Sequence, residues 1–336
     1  MLKFHEIFRP SIPDSYFEQA VDLWLGFDAG HLGSQMYQDH KAMMGQRPMS
    51  GVLTWENYAK HGTFPNINKD ALLSGIKYIF DPNCMNLPLI EFGPGSMEDA
   101  SLLVKTFQPK EYIPVDYSVG VIKQAMDMAS LEKNCLIRPA VLDFFAEDNS
   151  PLIDSPALGI LLGVTISNIP GPIPEAPPSQ ALIKAFQNIT CTMPAGGFFL
   201  VSMDTCQDEK LIKSYYNEPW HRLFGVNHIY RMAEELPMHN FDPDGFEYYP
   251  VWHENCGLLA HTVRAMKDQI FEMGKNKEIA ISVKEGDVFH YNNSFKYNPE
   301  FFEDCAEKAG LKIIRHWQGE STIRLYLFSF SPKETK

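Results

Sequence analysis

The sequence predicts an α/β protein built on a doubly wound, mostly parallel sheet. Three observations carry this. Leu89-Ile90-Glu91-Phe92 is an apolar run that breaks into Gly93-Pro94-Gly95-Ser96 and then into an amphipathic stretch. Tyr112-Ile113-Pro114-Val115 is a second apolar run, stopping at Asp116. A third segment closes on Leu142-Asp143-Phe144, and Leu158 to Gly163 is apolar throughout. Strands alternating with helices across glycine turns read as Rossmann-like βαβ units. Unbroken apolar runs are what strands covered on both faces look like.

Taken in order, residues 1–85 read as helical. Ser15-x-x-Glu18 is a capping box, followed by Phe17, Ala20, Val21, Leu23, Trp24 and Leu25 at helical spacing. A glycine- and methionine-rich stretch runs from Gly30 to Gly51. A helix starting at Asn68 carries Leu72, Leu73, Ile76 and Ile79 and stops before Pro82. After the glycine turn, Ser96-x-x-Asp99 caps a helix with Leu102, Leu103, Val104 and Phe107 on one face, and Val119 to Met128 makes the next. A proline-rich loop, Pro170 to Pro178, leads to the helix 180–189, and Phe198 to Met203 is a fifth strand ending near Asp204.

Residues 205–293 leave this pattern. A helix from Asp208 and another over 220–235 precede short alternating runs at 247–252, 258–266, 270–273 and 279–283. These read as an antiparallel sheet inserted after the fifth strand. Asn298-Pro299-Glu300 starts a last helix, with proline at its first helical position. Leu311 to Trp317 and Thr322 to Ser329 form a closing antiparallel hairpin at the sheet edge. The expected division is one nucleoside-binding domain, 86–204 plus 294–332, and a second, α+β domain, 1–85 plus 205–293, closing over a substrate.

The totals exclude several classes. The 336-residue chain is long enough for a sizeable core. Its net charge of −13 comes without a clustered basic face, which argues against a nucleic-acid partner. The longest apolar stretch, 157–169, is too short to span a bilayer, and the amino terminus lacks the apolar core of a signal peptide, so a cytoplasmic protein is expected. The six cysteines show no zinc-type pairing; reduced thiols and no metal site are expected.

The chemistry concentrates at the strand ends. A dinucleotide site uses Gly-x-Gly-x-x-Gly to seat a pyrophosphate on a helix amino terminus. Here the third glycine is replaced by Glu98, with Asp99 beside it. Two carboxylates repel a pyrophosphate but tolerate a sulfonium, so Gly93 and Gly95 fit S-adenosylmethionine better than a nicotinamide cofactor. A plain tight turn is the alternative. Asp116 ends the next strand, where an acid accepts from both ribose hydroxyls; it could also be an ordinary helix cap. Asp143 can accept from an adenine amino group while Phe144 stacks on the ring. Gly163 closes the fourth strand, and Asn168 follows where the reactive end of the cofactor lies. Asn168 either orients an amine or carboxylate, or simply turns the chain before Pro170.

The chain resembles the S-adenosylmethionine-dependent histidine Nα-methyltransferases of ergothioneine biosynthesis, from about Pro88 to Phe330. The resemblance rests on Leu89 to Ser96, Pro114-Val115-Asp116-Tyr117-Ser118, Leu162 to Asn168, Ser202-Met203-Asp204, Tyr215-Tyr216-Asn217-Glu218, Asn240 to Phe246, and Asn293-Ser294-Phe295-Lys296-Tyr297. It implies a seven-stranded class I methyltransferase sheet. It implies that Gly93, Asp116, Asp143 and Phe144 hold the cofactor, and that Asn168 and Tyr216 hold the amino and carboxylate groups of an amino acid, with Tyr216 orienting the amine. Ser294 matches a family serine, and Asn292 stands where the family has a Glu that reads imidazole; an amide supplies no such charge-assisted bond. Asp99 replaces a basic residue, and the family's amino-terminal tyrosine matches Tyr37, Tyr58 or neither. The expected activity is N-methylation of an amino acid's α-amino group. The alternatives are methylation of another small amine or hydroxyl, and S-adenosylmethionine binding without catalysis; a nicotinamide dehydrogenase is disfavoured by Glu98.

Overall fold

A computed structural model describes residues 16–26, 32–37, 58–94, 98–118, 121–122, 135–146, 149–194 and 196–330. The large sheet contains β1 (Leu89–Phe92), β2 (Glu111–Asp116), β3 (Leu136–Ile137), β4 (Ala140–Val141), β5 (Leu158–Leu161) and β6 (Phe198–Asp204). The insert supplies β7 (Met238–His239), β8 (Phe246–Tyr248), β9 (Val251–His253), β10 (Leu258–Ala265), β11 (Gln269–Met273), β12 (Ile279–Val283) and β13 (Val288–Phe295). The closing pair is β14 (Leu311–Gln318) and β15 (Ile323–Phe330).

The large sheet runs β14-β15-β6-β5-β1-β2-β3, with β4 also on β2. The third strand is therefore split in two, and the sheet has the seven positions expected. β1, β2, β5 and β6 are parallel, while β15 lies antiparallel between β6 and β14. This is the class I methyltransferase order. β1 and β5 are buried along their whole length, which explains why Leu-Ile-Glu-Phe and Leu-Gly-Ile-Leu show no alternation.

The helices are α1 (Tyr16–Leu25), α2 (Thr63–Ile79), α3 (Glu98–Phe107), α4 (Ser179–Thr190), α5 (Glu209–Tyr216), α6 (Pro219–Gly225), α7 (Asn227–Glu235) and α8 (Pro299–Lys308). α2 begins at Thr63, not at Asn68. Pro65 sits in the first turn, where a missing N–H costs nothing, and the Asn68 amide bonds back to the Phe64 carbonyl at 3.0 Å. The single helix expected over 220–235 is two, broken at Val226. Asp208 caps α5 through the amides of Lys210 and Leu211, and Asn298 caps α8.

The insert forms two small sheets rather than one. β13-β10-β8, with β9 on β10, makes the first, and β12-β11-β7 the second. Their inner faces join α1 in one apolar cluster containing Trp24, Phe224, Phe271 and Tyr291. α2 behaves differently. Its Leu72, Ile76 and Ile79 pack with Leu89, Leu158 and Leu325 of the large sheet. An alanine methyl at Gly75 would meet Trp317 at 2.4 Å, so the helix is pressed onto β14. This helix, grouped with the second domain from the sequence, thus bridges the two: Leu72, Ile76 and Ile79 rest on the first sheet, while Phe64 and Ala71 join the insert's cluster.

All six cysteines are free thiols. Among the described residues, no helix is long and apolar enough to cross a membrane, and no cluster of His, Cys, Asp and Glu suits a metal ion. Ser15, Gly95, Ser96, most of Val119 to Met128, and the side chains of Tyr37, Glu98 and Asp99 lie outside the described residues.

Candidate active site

The parallel strands end on one edge, and the chain turns there in ways that only certain residues permit. After β1, Gly93 takes φ +64, with its N–H on the Val115 carbonyl at 2.8 Å. Among the described residues, a Cβ at this position would meet nothing nearer than Thr165 at 3.8 Å and Phe144 at 3.9 Å. The glycine is needed for its backbone, and its described neighbours stand at ordinary contact distance. Behind it, Tyr112 donates to the buried Glu91 carboxylate.

The next two tips adjoin it. Asp116 pairs in register with Val141, and the Leu142 amide bonds the Asp116 carbonyl at 3.1 Å. Asp116 Oδ1 accepts from the Ser118 amide at 2.7 Å, and Asp143 Oδ1 from the Phe145 amide at 3.0 Å. Burial pushes the Asp116 carboxyl up to about 7, against the lowering pull of the Ser118 and Tyr117 amides. Burial also raises Asp143. The Phe144 ring stands on edge against Phe92, centroids 5.6 Å apart.

The fourth tip is strained. Gly163 and Val164 both have positive φ, +66 and +56. A β-branched residue in the left-handed region is a real outlier, of the kind that clusters at functional sites. Val164 is held there by its N–H donating to Ser202 Oγ at 3.0 Å. The turn brings Asn168 to the cleft. It also lets the Asn293 amide clamp the carbonyls of Ile169 and Gly171 at 3.0 and 2.9 Å.

The opposite wall comes from the insert and the amino-terminal helices. Tyr216, the last residue of α5, and Ser294, on β13, have their hydroxyls 3.2 Å apart. Lys296 Nζ lies behind both, 2.7 Å from Tyr216 Oη and 3.1 Å from Ser294 Oγ, and 3.1 Å from Asp204 Oδ2. Burial alone would drive the Lys296 ammonium down; Tyr216 and Asp204 outweigh it and hold it above the ordinary lysine value. A second chain runs from His221 Nε2 to Tyr248 Oη (3.2 Å) and on to His261 Nδ1 (2.7 Å). Burial, with Lys296 adding, pulls His221 down to about 3. Burial likewise sets His261 well below its usual value. Both imidazoles are neutral.

One cleft thus gathers Gly93, Gly163, Asn168, Tyr216, Asn292 and Ser294. Asp116, Asp143 and Phe144 sit at the adjoining tips rather than in its lining. Tyr58 also lines the cleft, its ring 4.6 Å from that of His221. Asn292 packs against the backbone of Gly33, where any Cβ would collide with its amide. The residues sequence reasoning missed are Lys296, Asp204, His221 and His261. Lys296 had a signal: it follows Ser294 by two positions, just past the end of β13, the spacing at which extended residues share a face. Asp204 ends the fifth strand as Asp116 ends the second. The histidines carried no local signal.

Residues 73–330 match the family described as histidine-specific methyltransferase, SAM-dependent. The chain is 31% identical over 174 residues to the uncharacterized protein y4iF of Sinorhizobium fredii, covering 51% of this chain and 53% of that protein. It is 21% identical over 244 residues to the N-methyltransferase fsqC of Aspergillus fumigatus, covering 68% of this chain and 62% of that one. The chain therefore spans between half and two thirds of the length of these relatives. Among solved structures, an S-adenosylmethionine-dependent methyltransferase from Clostridium acetobutylicum aligns at 14% identity with a TM-score of 0.45, covering 82% of this chain and 97% of that one.

Proposed function

The chain belongs to the histidine-specific, S-adenosylmethionine-dependent methyltransferase family, and from there we propose that it methylates the α-amino group of an amino acid. The observation that carries the reading is the meeting of two half-sites on one cleft: the strand tips with Gly93 and Gly163, and the polar wall of Asn168, Tyr216 and Ser294.

The tips fit the cofactor by the chemistry of their groups. They offer carboxylate acceptors (Glu91, Asp116, Asp143), an aromatic ring (Phe144) and the cleft that Gly93 lines. Such a set suits a phosphate-free cation with vicinal hydroxyls. Gly93, Asp116, Asp143, Phe144 and Gly163 would hold it, with Gly95 a further candidate. When bound, S-adenosylmethionine supplies an electrophilic methyl on a positive sulfur.

The chain's own part is binding, alignment and exclusion of water. Fixing two reactants in line is worth about 7–11 kcal/mol. Asn168 orients the acceptor amine, and Tyr216 and Ser294 face its carboxylate. Burial lowers the basicity of His221 and His261, so neither is suited to take a proton from the acceptor amine. Residues 16–26, 32–37 and 205–293 act as the cap that closes the cleft, with α2 bridging from the large sheet. Asn292, neutral where the family has a carboxylate, favours a second reading: a small amine that is not histidine, or not an amino acid.

Calorimetry with S-adenosylmethionine and a methyl-transfer screen of free amino acids test the reading. Binding, and turnover lost at least a hundredfold in Asn168→Ala with cofactor affinity retained, support it; that loss is on the scale of a misaligned reactant. No cofactor binding, or equal turnover of amines lacking a carboxylate, refutes it.

A pH dependence follows from Asp116. Only the anion accepts from both ribose hydroxyls, and in the free protein it is half protonated near pH 7. Cofactor affinity should fall about tenfold per pH unit below 7 and level off above it. Asp116→Asn should weaken binding and flatten the profile. The same shift opposes folding: the cost of burying the anion is absent below the unfolded value of ~3.9 and fully present above 7.

A further inference from the structure

We infer that Lys296, charge-balanced by Asp204, is a positioning residue that forces Tyr216 and Ser294 to donate into the cleft, and so selects an acceptor with a free carboxylate. The inference rests on the methyltransferase reading and deepens it.

The argument is a count of protons. An ammonium has three N–H donors and no acceptor. All three of those on Lys296 are used: on Asp204 Oδ2 at 3.1 Å, Tyr216 Oη at 2.7 Å and Ser294 Oγ at 3.1 Å. Both Asp204 oxygens are engaged, since Oδ1 accepts from the Cys206 amide at 3.0 Å. The pair is sealed, with side-chain exposures of 0% and 1%. Its attachments to the cleft are therefore the two hydroxyls.

Each hydroxyl oxygen already accepts a hydrogen bond from Lys296, yet each still carries its own proton. The two oxygens are 3.2 Å apart, which accommodates one of those protons between them. The other is left for the cleft. What the cleft presents at this corner is thus an O–H donor, backed by a buried positive charge at hydrogen-bond distance. Its complement is an anionic oxygen. A primary amide offers a weaker acceptor plus N–H donors with nothing to receive them. An amine without the carboxylate offers no acceptor at all. A neutral residue in place of Lys296 would let Tyr216 and Ser294 satisfy each other in either sense and abolish the preference.

The ammonium lies 5.0 Å from the Phe64 ring centroid and 4.8 Å from that of Tyr216. Aromatic faces on two sides fix the cation against drift and favour its charged form.

The test compares L-histidine, L-tyrosine and L-tryptophan with their primary amides and with histamine, tyramine and tryptamine. Lys296→Met is measured beside the double variant Lys296→Met/Asp204→Leu, which leaves no unpaired buried charge and guards against simple unfolding. The expected result is a KM for the preferred acid raised about ten- to hundredfold, the range of a hydrogen bond to a charged group, with kcat within about threefold. The acid-over-amide preference should shrink by the same factor, and calorimetric affinity for S-adenosylmethionine should be unchanged. Wild-type protein that turns over acid and amide equally overturns the inference. So does a folded double variant whose acid-over-amide ratio is that of wild type. Failure of wild-type protein to bind S-adenosylmethionine would instead remove the functional reading beneath it, so the two failures are distinct.

Discussion

Asp204→Ala should lower the unfolding free energy by about 3–5 kcal/mol, the cost of leaving a buried charge without its partner. Asp204 is the carboxylate that the Lys296 ammonium faces at 3.1 Å, with neither side chain reaching water. Tyr216 and Ser294 are neutral hydroxyls and cannot compensate a full charge. Removing the acid leaves Lys296 two poor routes: stay charged in an apolar setting, or lose its proton at a pH where water would keep it protonated. Denaturant unfolding at pH 7 measures the loss. The signature of the second route is pH dependence. The lysine value, now raised, would fall below ordinary, so the variant should regain stability as pH rises through the depressed value. A variant losing under ~1 kcal/mol, the scale of an exposed ion pair, would show that water reaches this pair.

Gly93→Val should abolish detectable S-adenosylmethionine binding while leaving the fold standing. The backbone there has φ +64, so a side chain costs about 1–2 kcal/mol through the left-handed conformation. Among the described residues a Cβ there has its nearest neighbours at 3.8 and 3.9 Å, ordinary contact distance. The added methyls instead occupy the space above the β1 tip that the cofactor needs. Calorimetry with S-adenosylmethionine and a circular dichroism melt, run together, separate the two effects. Retained affinity in the folded variant would place the cofactor elsewhere than over β1. Gly159 makes the contrast: a Cβ there meets Met193 Sδ at 2.5 Å, so its substitution should disturb packing rather than binding.

Much of this arrangement was legible in the chain because it is local. The strand–glycine–helix sequence around Gly93, the acids ending β2 and the split third strand, and the unbroken apolar runs of β1 and β5 follow from short-range pattern. So do the caps at Asp208 and Asn298. Where local pattern failed, a competing local preference was at work. Asn68 reads as a helix start but bonds back within α2, whose true start is hidden by Pro65. Val226 divides what spacing alone presents as one helix.

The succession of strands and turns along the chain, the acidic and glycine-bearing tips, and the kinship those motifs imply could be read from the residues alone, because each depends on neighbours within a turn or two. Only the tertiary structure decided that Lys296 stands behind Tyr216 and Ser294, and that Asp204 balances it. Only it placed neutral His221 and His261 in the cleft and laid α2 on the large sheet. These pairings join segments 78 to 80 residues apart and more, and a charge in a chain carries no mark of the partner that will make its burial tolerable.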